Sequence, residues 1–206
     1  MRINKISKYD VKLYFKQNKI SYILFIGALF IGVIIGLIIS FTSDSYLNLL
    51  SSENKILYSI INGTANSAEV FFDKFFVLIV PIILIFLTGL NYYLSLTSFI
   101  FIAYQGSLLM LTSMAVVFTY GIKGFLNIVL IIVPLNLLYF MVLIFFASVC
   151  LSRSRKANKL KSFSHGLKEE FFIFSSIASV LAVIVICFIG TIILPLFLRN
   201  AIFIIF

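Results

Sequence analysis

Side chains that can do acid–base or metal chemistry are scarce in this sequence, and one small group of them surrounds its histidine. His165 is the single histidine, and Glu169 and Glu170 are the carboxylates nearest to it. A protein metal site needs three or four converging ligands, which this group does not supply. We therefore predict no metal site. We interpret the two glutamates as charges that favour the N-terminal end of the helix that follows them.

The long apolar runs of the chain contain no Asp, Glu, Lys, Arg or His. Proton-coupled transporters, pumps and intramembrane proteases usually place such groups at membrane depth. The sequence also lacks the HExxH zinc motif, the GxSxG nucleophile motif and a phosphate-binding loop. We therefore predict that the chain is not an enzyme and that it has no cofactor and no ATP site of its own.

The composition indicates lipid, not water, as the solvent. Hydrophobic residues make up 62% of the chain and charged residues 11%, whereas soluble domains carry about 25% charged residues. So few charges cannot cover so much apolar surface in water. The net charge of +9 flanks the apolar runs, where membrane topology and anionic lipid account for it, so we predict no nucleic-acid partner.

The charge-free runs predict an all-α polytopic bundle that forms a single integral membrane domain over residues 1–206, because a helix needs about 20 apolar residues to cross a bilayer. The five predicted spans cover about residues 22–41, 76–94, 99–119, 125–151 and 171–198. Residues 43–75 are predicted to form an outer amphipathic collar, in which Asn62 and Gly63 break one helix and Asn66 and Glu69 form a capping box at the start of the next.

The distribution of basic residues predicts the orientation. The segment before the first span carries six Lys and Arg residues, and the loop at residues 152–170 carries six more. Loops rich in Lys and Arg stay in the cytoplasm. Five spans place both segments on that side, so we predict a cytoplasmic N-terminus, a cytoplasmic basic loop and an external C-terminus.

A stripe of small residues lies along one face of the first span. Ala28, Gly32, Gly36 and Ser40 recur every four residues, and such a stripe lets another helix backbone approach closely. The sequence leaves two interpretations open. The stripe contacts a partner or a second copy of the chain, or it packs inside the bundle.

Uncharged polar groups and a proline interrupt the apolar runs. Pro134 removes a backbone hydrogen bond, and the Asn136 amide could satisfy the freed carbonyl or reach a neighbouring helix. Gln105 is a further amide inside a span. These residues favour hydrogen bonding between helices, and a solute path is the other interpretation.

Several short runs stand in an order that resembles a known family. They are Gly32-Val33-Ile34-Ile35-Gly36, Asn62-Gly63, Ala65-Asn66-Ser67-Ala68-Glu69, Gly89-Leu90, Gly106, Gly121-Ile122-Lys123-Gly124-Phe125 and Val133-Pro134-Leu135-Asn136. Together with the five spans, they make the chain similar to the stage II sporulation protein M family over nearly its whole length. Residues 94–97 depart from the pattern, since a proline is expected there.

The resemblance implies a non-enzymatic scaffold in the bacterial cell membrane, in the mother-cell membrane at the sporulation septum. There it would anchor two peptidoglycan-degrading partners, an amidase and a lytic transglycosylase, during endospore engulfment. The collar would meet these partners, because their substrate lies outside. An alternative is the permease-like membrane subunit of a small-solute transporter, with Gln105, Pro134 and Asn136 along its path and a separate ATPase on the basic loop.

Overall fold

The computed structural model describes residues 18–42, 67–90, 93–159 and 166–190. Over these ranges it is all-α, as predicted. Its five long helices are α1 (Lys19–Thr42), α2 (Ser67–Thr88), α3 (Thr97–Asn127), α4 (Val133–Lys159) and α5 (Gly166–Phe188). A 3-10 turn at Tyr93–Leu96 precedes α3, and a π-helical turn at Ile128–Ile132 precedes α4.

Four apolar helical stretches are each long enough to cross a bilayer. They are Lys19–Thr42, Thr97–Phe118, Val133–Ser154 and Phe171–Phe188. Eighteen residues of helix already extend about 27 Å, close to the thickness of the hydrocarbon core. The four helices indicate a multi-pass membrane protein, in agreement with the composition.

The α2 helix is the exception in length. Its apolar part, Lys74–Thr88, is shorter than the other four and extends about 22 Å. The helix continues without a break back to Ser67, so the last part of the predicted collar consists of the first turns of α2. Asn62, Gly63 and Asn66 lie outside the described residues, and Glu69 lies in the first turn of α2.

The centre of the bundle is α4. In an apolar window of 18 residues within its membrane-length stretch 61% of the residues are buried, against 28–33% in the corresponding windows of the other three. A helix that is apolar on all sides belongs in the interior, and α4 contacts each of the other four helices. The opposite situation holds for α1, which leaves Ile20, Ile34 and Ile38 exposed. In a membrane these side chains face lipid.

Contacts between α2 and α4 show that these two helices run in the same direction. The Tyr139 hydroxyl of α4 donates a hydrogen bond of 3.2 Å to the carbonyl of Leu78, and a side chain added at Gly89 would lie 3.0 Å from the Cβ of Cys150. From the first contact to the second, the residue number rises by the same amount on α2 and on α4. The α2 helix therefore follows α4 over a depth of about 16 Å.

The other pairs complete an alternating arrangement. Phe25 stacks on Phe99 and Phe41 packs edge-on against Phe118, so α1 and α3 are parallel. Gly190 lies near Leu135, whereas Phe172 lies near Arg153, so α5 is antiparallel to α4. Tyr22 near the start of α1 lies beside Ser148 in the second half of α4, so an antiparallel α1 runs along the first half of α4. Successive helices thus point in opposite directions.

Candidate functional site

The small-residue stripe of α1 packs against α3 of the same chain. Ala28, Gly32, Gly36 and Ser40 are all buried. A Cβ added at Gly32 would overlap the carbonyl oxygen of Ala103, and one added at Gly36 would lie 2.5 Å from the carbonyl oxygen of Ser107. Real Cβ atoms do not approach backbone so closely, so glycine is required at both positions.

The approach is equally close from the side of α3. A Cβ added at Gly106 would lie 2.6 Å from the carbonyl oxygen of Leu29 and 3.3 Å from the amide nitrogen of Val33. We call this contact the α1–α3 seam, formed by Ala28, Gly32, Gly36 and Ser40 of α1 with Ala103, Gly106 and Ser107 of α3. The structure thus places the stripe inside the bundle. The sequence could not identify α3 as its partner.

Hydroxyl groups at the seam are satisfied within their own helices. Ser40 donates a 2.7 Å hydrogen bond to the carbonyl of Leu37, and Ser107 donates a 2.8 Å hydrogen bond to the carbonyl of Tyr104. These hydroxyls therefore add no bridge between α1 and α3. The two helices are joined by close packing of backbone and small side chains, which is the usual means of association where water provides no hydrophobic driving force.

The Asn136 amide, close to Pro134 at the start of α4, bonds within its own segment of the chain. The amide nitrogen of Asn136 donates a 2.8 Å hydrogen bond to the carbonyl of Ile132, the last residue of the π-helical turn. Pro134 frees the carbonyl of residue 130, four residues earlier, so this bond is neither of the two uses predicted for the amide. Pro134 itself is exposed at the surface of the bundle, and Gln105 is half-buried on α3 beside Gly106.

Large buried side chains fill the middle of the bundle along α4. At most 1% of the surface is exposed at each of five residues, namely Tyr139, Leu143, Phe146, Ala147 and Cys150. Tyr139 was not predicted as a site residue, although a tyrosine inside an apolar run needs a partner for its hydroxyl. That partner is the Leu78 carbonyl, which lies three residues before Pro81 on α2.

A groove lies at the end of the bundle where α4 leaves the membrane-length stretch and α5 begins. Its volume is about 360 Å³, and it is lined by Phe86, Leu90, Arg153, Phe172, Ile173, Ser176 and Ile177. The guanidinium carbon of Arg153 lies 4.0 Å from the centre of the Phe172 ring. Phe86 stacks on the same ring, with 5.3 Å between the two centres. We call this feature the Arg153 groove.

From the sequence, Arg153 is only one cation of the basic loop, because the groove is formed by three helices that are distant in sequence. Among the described residues, no group of three or more His, Cys, Asp or Glu side chains is placed to hold a metal. His165 lies outside those residues. Cys150 and Cys187 are both buried and form no disulfide.

Comparison with known proteins gave no relatives. No protein-family model, curated protein or solved structure matches this chain.

Proposed function

We propose that this chain is a non-enzymatic membrane scaffold that anchors peptidoglycan-degrading partners, an amidase and a lytic transglycosylase, during endospore engulfment. The observation that supports the proposal is the filled centre of the bundle, where side chains such as Tyr139, Leu143 and Phe146 leave α4 closed to solvent. A rigid helical platform suits an anchor. The resemblance of its sequence motifs to the stage II sporulation protein M family supplies the cellular context.

The proposed topology has five spans, with the N-terminus in the cytoplasm and the C-terminus outside the cell membrane. The alternating directions of α1 to α5 support it, since α2 follows α4 through the Leu78–Tyr139 and Gly89–Cys150 contacts. The whole of α2, Ser67–Thr88, extends about 33 Å. It is therefore long enough to cross once its first polar turns lie among the headgroups.

We place the partner contact on the outer collar and not on the small-residue stripe. The α1 stripe is already covered by α3, because Gly32 meets the Ala103 backbone. The collar residues Asn62, Gly63, Asn66 and Glu69 precede or begin α2, on the side of the membrane where the wall and its hydrolases lie. Polar residues of this segment offer hydrogen-bonding groups that lipid-facing helices lack.

Affinity purification in mild detergent tests the scaffold. The tagged chain is co-expressed with an amidase and a lytic transglycosylase of a spore former, and both should be recovered with it. The collar variant Asn66→Ala with Glu69→Ala should lower recovery at least fivefold. Ile34→Val, on the lipid-facing side of α1, is the matched control and should leave recovery unchanged.

Two outcomes of this experiment would reject the proposal. One is the absence of both hydrolases from the purified wild-type complex. The other is equal recovery with the collar variant and with the control, which would place the contact elsewhere. The permease-like alternative makes a different prediction, namely solute flux in proteoliposomes that is lost on Asn136→Leu. The bond of Asn136 to its own helix does not favour a solute path.

A further inference from the structure

Arg153 lies at the end of the membrane-length part of α4. The membrane-length part of α4 is Val133–Ser154, and Arg153 lies about 14 Å along the axis from its midpoint. Half the thickness of the hydrocarbon core is about 15 Å. The Cα of Arg153 is therefore close to the level where acyl chains end, and its long side chain can reach the lipid phosphates.

The walls of the Arg153 groove run along the membrane normal. On α5, the lining extends from Phe172 to Ile177, about 7 Å deeper into the hydrocarbon core. On the α2 side, it extends from Leu90 back to Phe86, about one helical turn deeper. The groove thus has a basic end at the membrane surface and an apolar end inside, which is the polarity of a phospholipid molecule.

The deeper part of the groove offers little to a polar ligand. Ser176 is a polar member of the lining, and its hydroxyl donates a 2.8 Å hydrogen bond to the carbonyl of Phe172. The neighbouring wall residues Ile173 and Ile177 are apolar and more than half exposed. A volume of about 360 Å³ is at the lower end of the range for ligand sites, and its shape and lining suit part of an acyl chain.

The basic end suits a phosphate. Phe172 contacts one face of the Arg153 guanidinium, and stacking of this kind orients the group while its N–H edges stay able to bind phosphate oxygens. Residues 152–170 carry six Lys and Arg against two Glu by sequence. Positive charge therefore exceeds negative charge here even if both glutamates form ion pairs, and the excess attracts anionic headgroups.

We propose that the Arg153 groove is a binding site for one anionic phospholipid, with the phosphate on the Arg153 guanidinium and an acyl chain between α2 and α5. The lipid fills the gap between these helices at the cytoplasmic end and holds α5 against the end of α2. This inference concerns a lipid site and does not depend on the identity of the scaffold's protein partners.

Native mass spectrometry of the detergent-purified protein tests the site. Phosphatidylglycerol and phosphatidylcholine with the same acyl chains are titrated separately, and the wild type should retain phosphatidylglycerol preferentially. Arg153→Gln should weaken this retention about fivefold, the size expected for one cation near the membrane surface. Arg155→Gln removes the same charge from a position about 200° around α4 and should retain the lipid within about twofold of the wild type.

A second variant tests the apolar end without changing the charge. Ile177→Trp fills the groove from an exposed position and should lower phosphatidylglycerol retention as strongly as Arg153→Gln. Glycerol phosphate, which has the headgroup charge but no acyl chain, should not compete. Equal retention by the Arg153 and Arg155 variants would overturn the proposal, and so would normal retention by Ile177→Trp or displacement of the lipid by glycerol phosphate.

Discussion

Gly27 and Gly121 are surrounded by open space, and they differ in backbone conformation. A Cβ added at either residue would have no atom within 4 Å apart from its chain neighbours and the backbone of its own helix. Gly27 lies inside the regular helix α1, whereas Gly121 has φ 58° and ψ −133° and interrupts α3. That combination of angles is accessible to glycine and costs other residues energy. Gly121 therefore redirects the chain between the second and third membrane-length stretches, Thr97–Phe118 and Val133–Ser154, through its backbone alone.

This difference predicts opposite tolerance of the same substitution. Gly121→Ala should lower the free energy of unfolding by about 1–3 kcal/mol, the cost of a strained backbone conformation. Gly27→Ala should change it by less than about 0.5 kcal/mol, as for other surface substitutions. Reversible unfolding in mixed micelles, followed by circular dichroism, measures both. Equal stability of the two variants would show that the conformation at Gly121 does not matter.

Among the helix pairs, α1 and α3 form the most extensive contact. The contact depends on positions where a backbone carbonyl occupies the space of a missing side chain, as Ala103 does at Gly32. A carbonyl cannot move away by changing rotamer, so the whole helix must shift when that space is taken. Overpacking of this kind costs about 1–3 kcal/mol.

The seam predicts that Gly32→Ala destabilises the protein by about 1–3 kcal/mol, measured by the same unfolding experiment. Gly27→Ala in the same helix is the control for the added methyl group. Because the obstructing atoms are the carbonyl group and Cα of Ala103, the second substitution Ala103→Gly should not restore stability. Full rescue by Ala103→Gly would mean that side chains, and not backbone, make the contact.

The molecule as a whole contains two pairs of parallel helices. One pair is α1 with α3, and the other is α2 with α4, to which α5 is added in the opposite direction. With α4 at the centre, every helix gains a buried face while the remaining faces meet lipid. The pattern requires that α2 travel the same way through the membrane as α4, although its apolar part is short.

Topology reporters test this requirement. A reporter that is active only outside the cell membrane should be active when fused after Ser43 and inactive when fused after Asn91, because in the proposed topology α2 returns the chain to the cytoplasm. A fusion after Phe206 should be active, which gives five crossings with the charge distribution expected from the positive-inside rule. Equal activity at Ser43 and Asn91 would mean that α2 does not cross.

Local composition predicted much of the fold. Charged side chains are too costly in hydrocarbon to occur within spans, so charge-free runs reveal the membrane helices without knowledge of their neighbours. The cost of burying charge does not predict how the backbone turns where one helix ends and the next begins. The left-handed Gly121 and the π-helical turn before Pro134 became visible only with the backbone in place.

The sequence by itself determined the solvent, the helical class and the distribution of charge, because each follows from the properties of adjacent residues. The tertiary structure decided which helices meet. A small-residue stripe indicates that some backbone can approach Gly32. That this backbone belongs to Ala103 depends on residues far apart in the chain. The same is true of the Arg153 groove, because three helices supply its walls and no single segment carries its pattern.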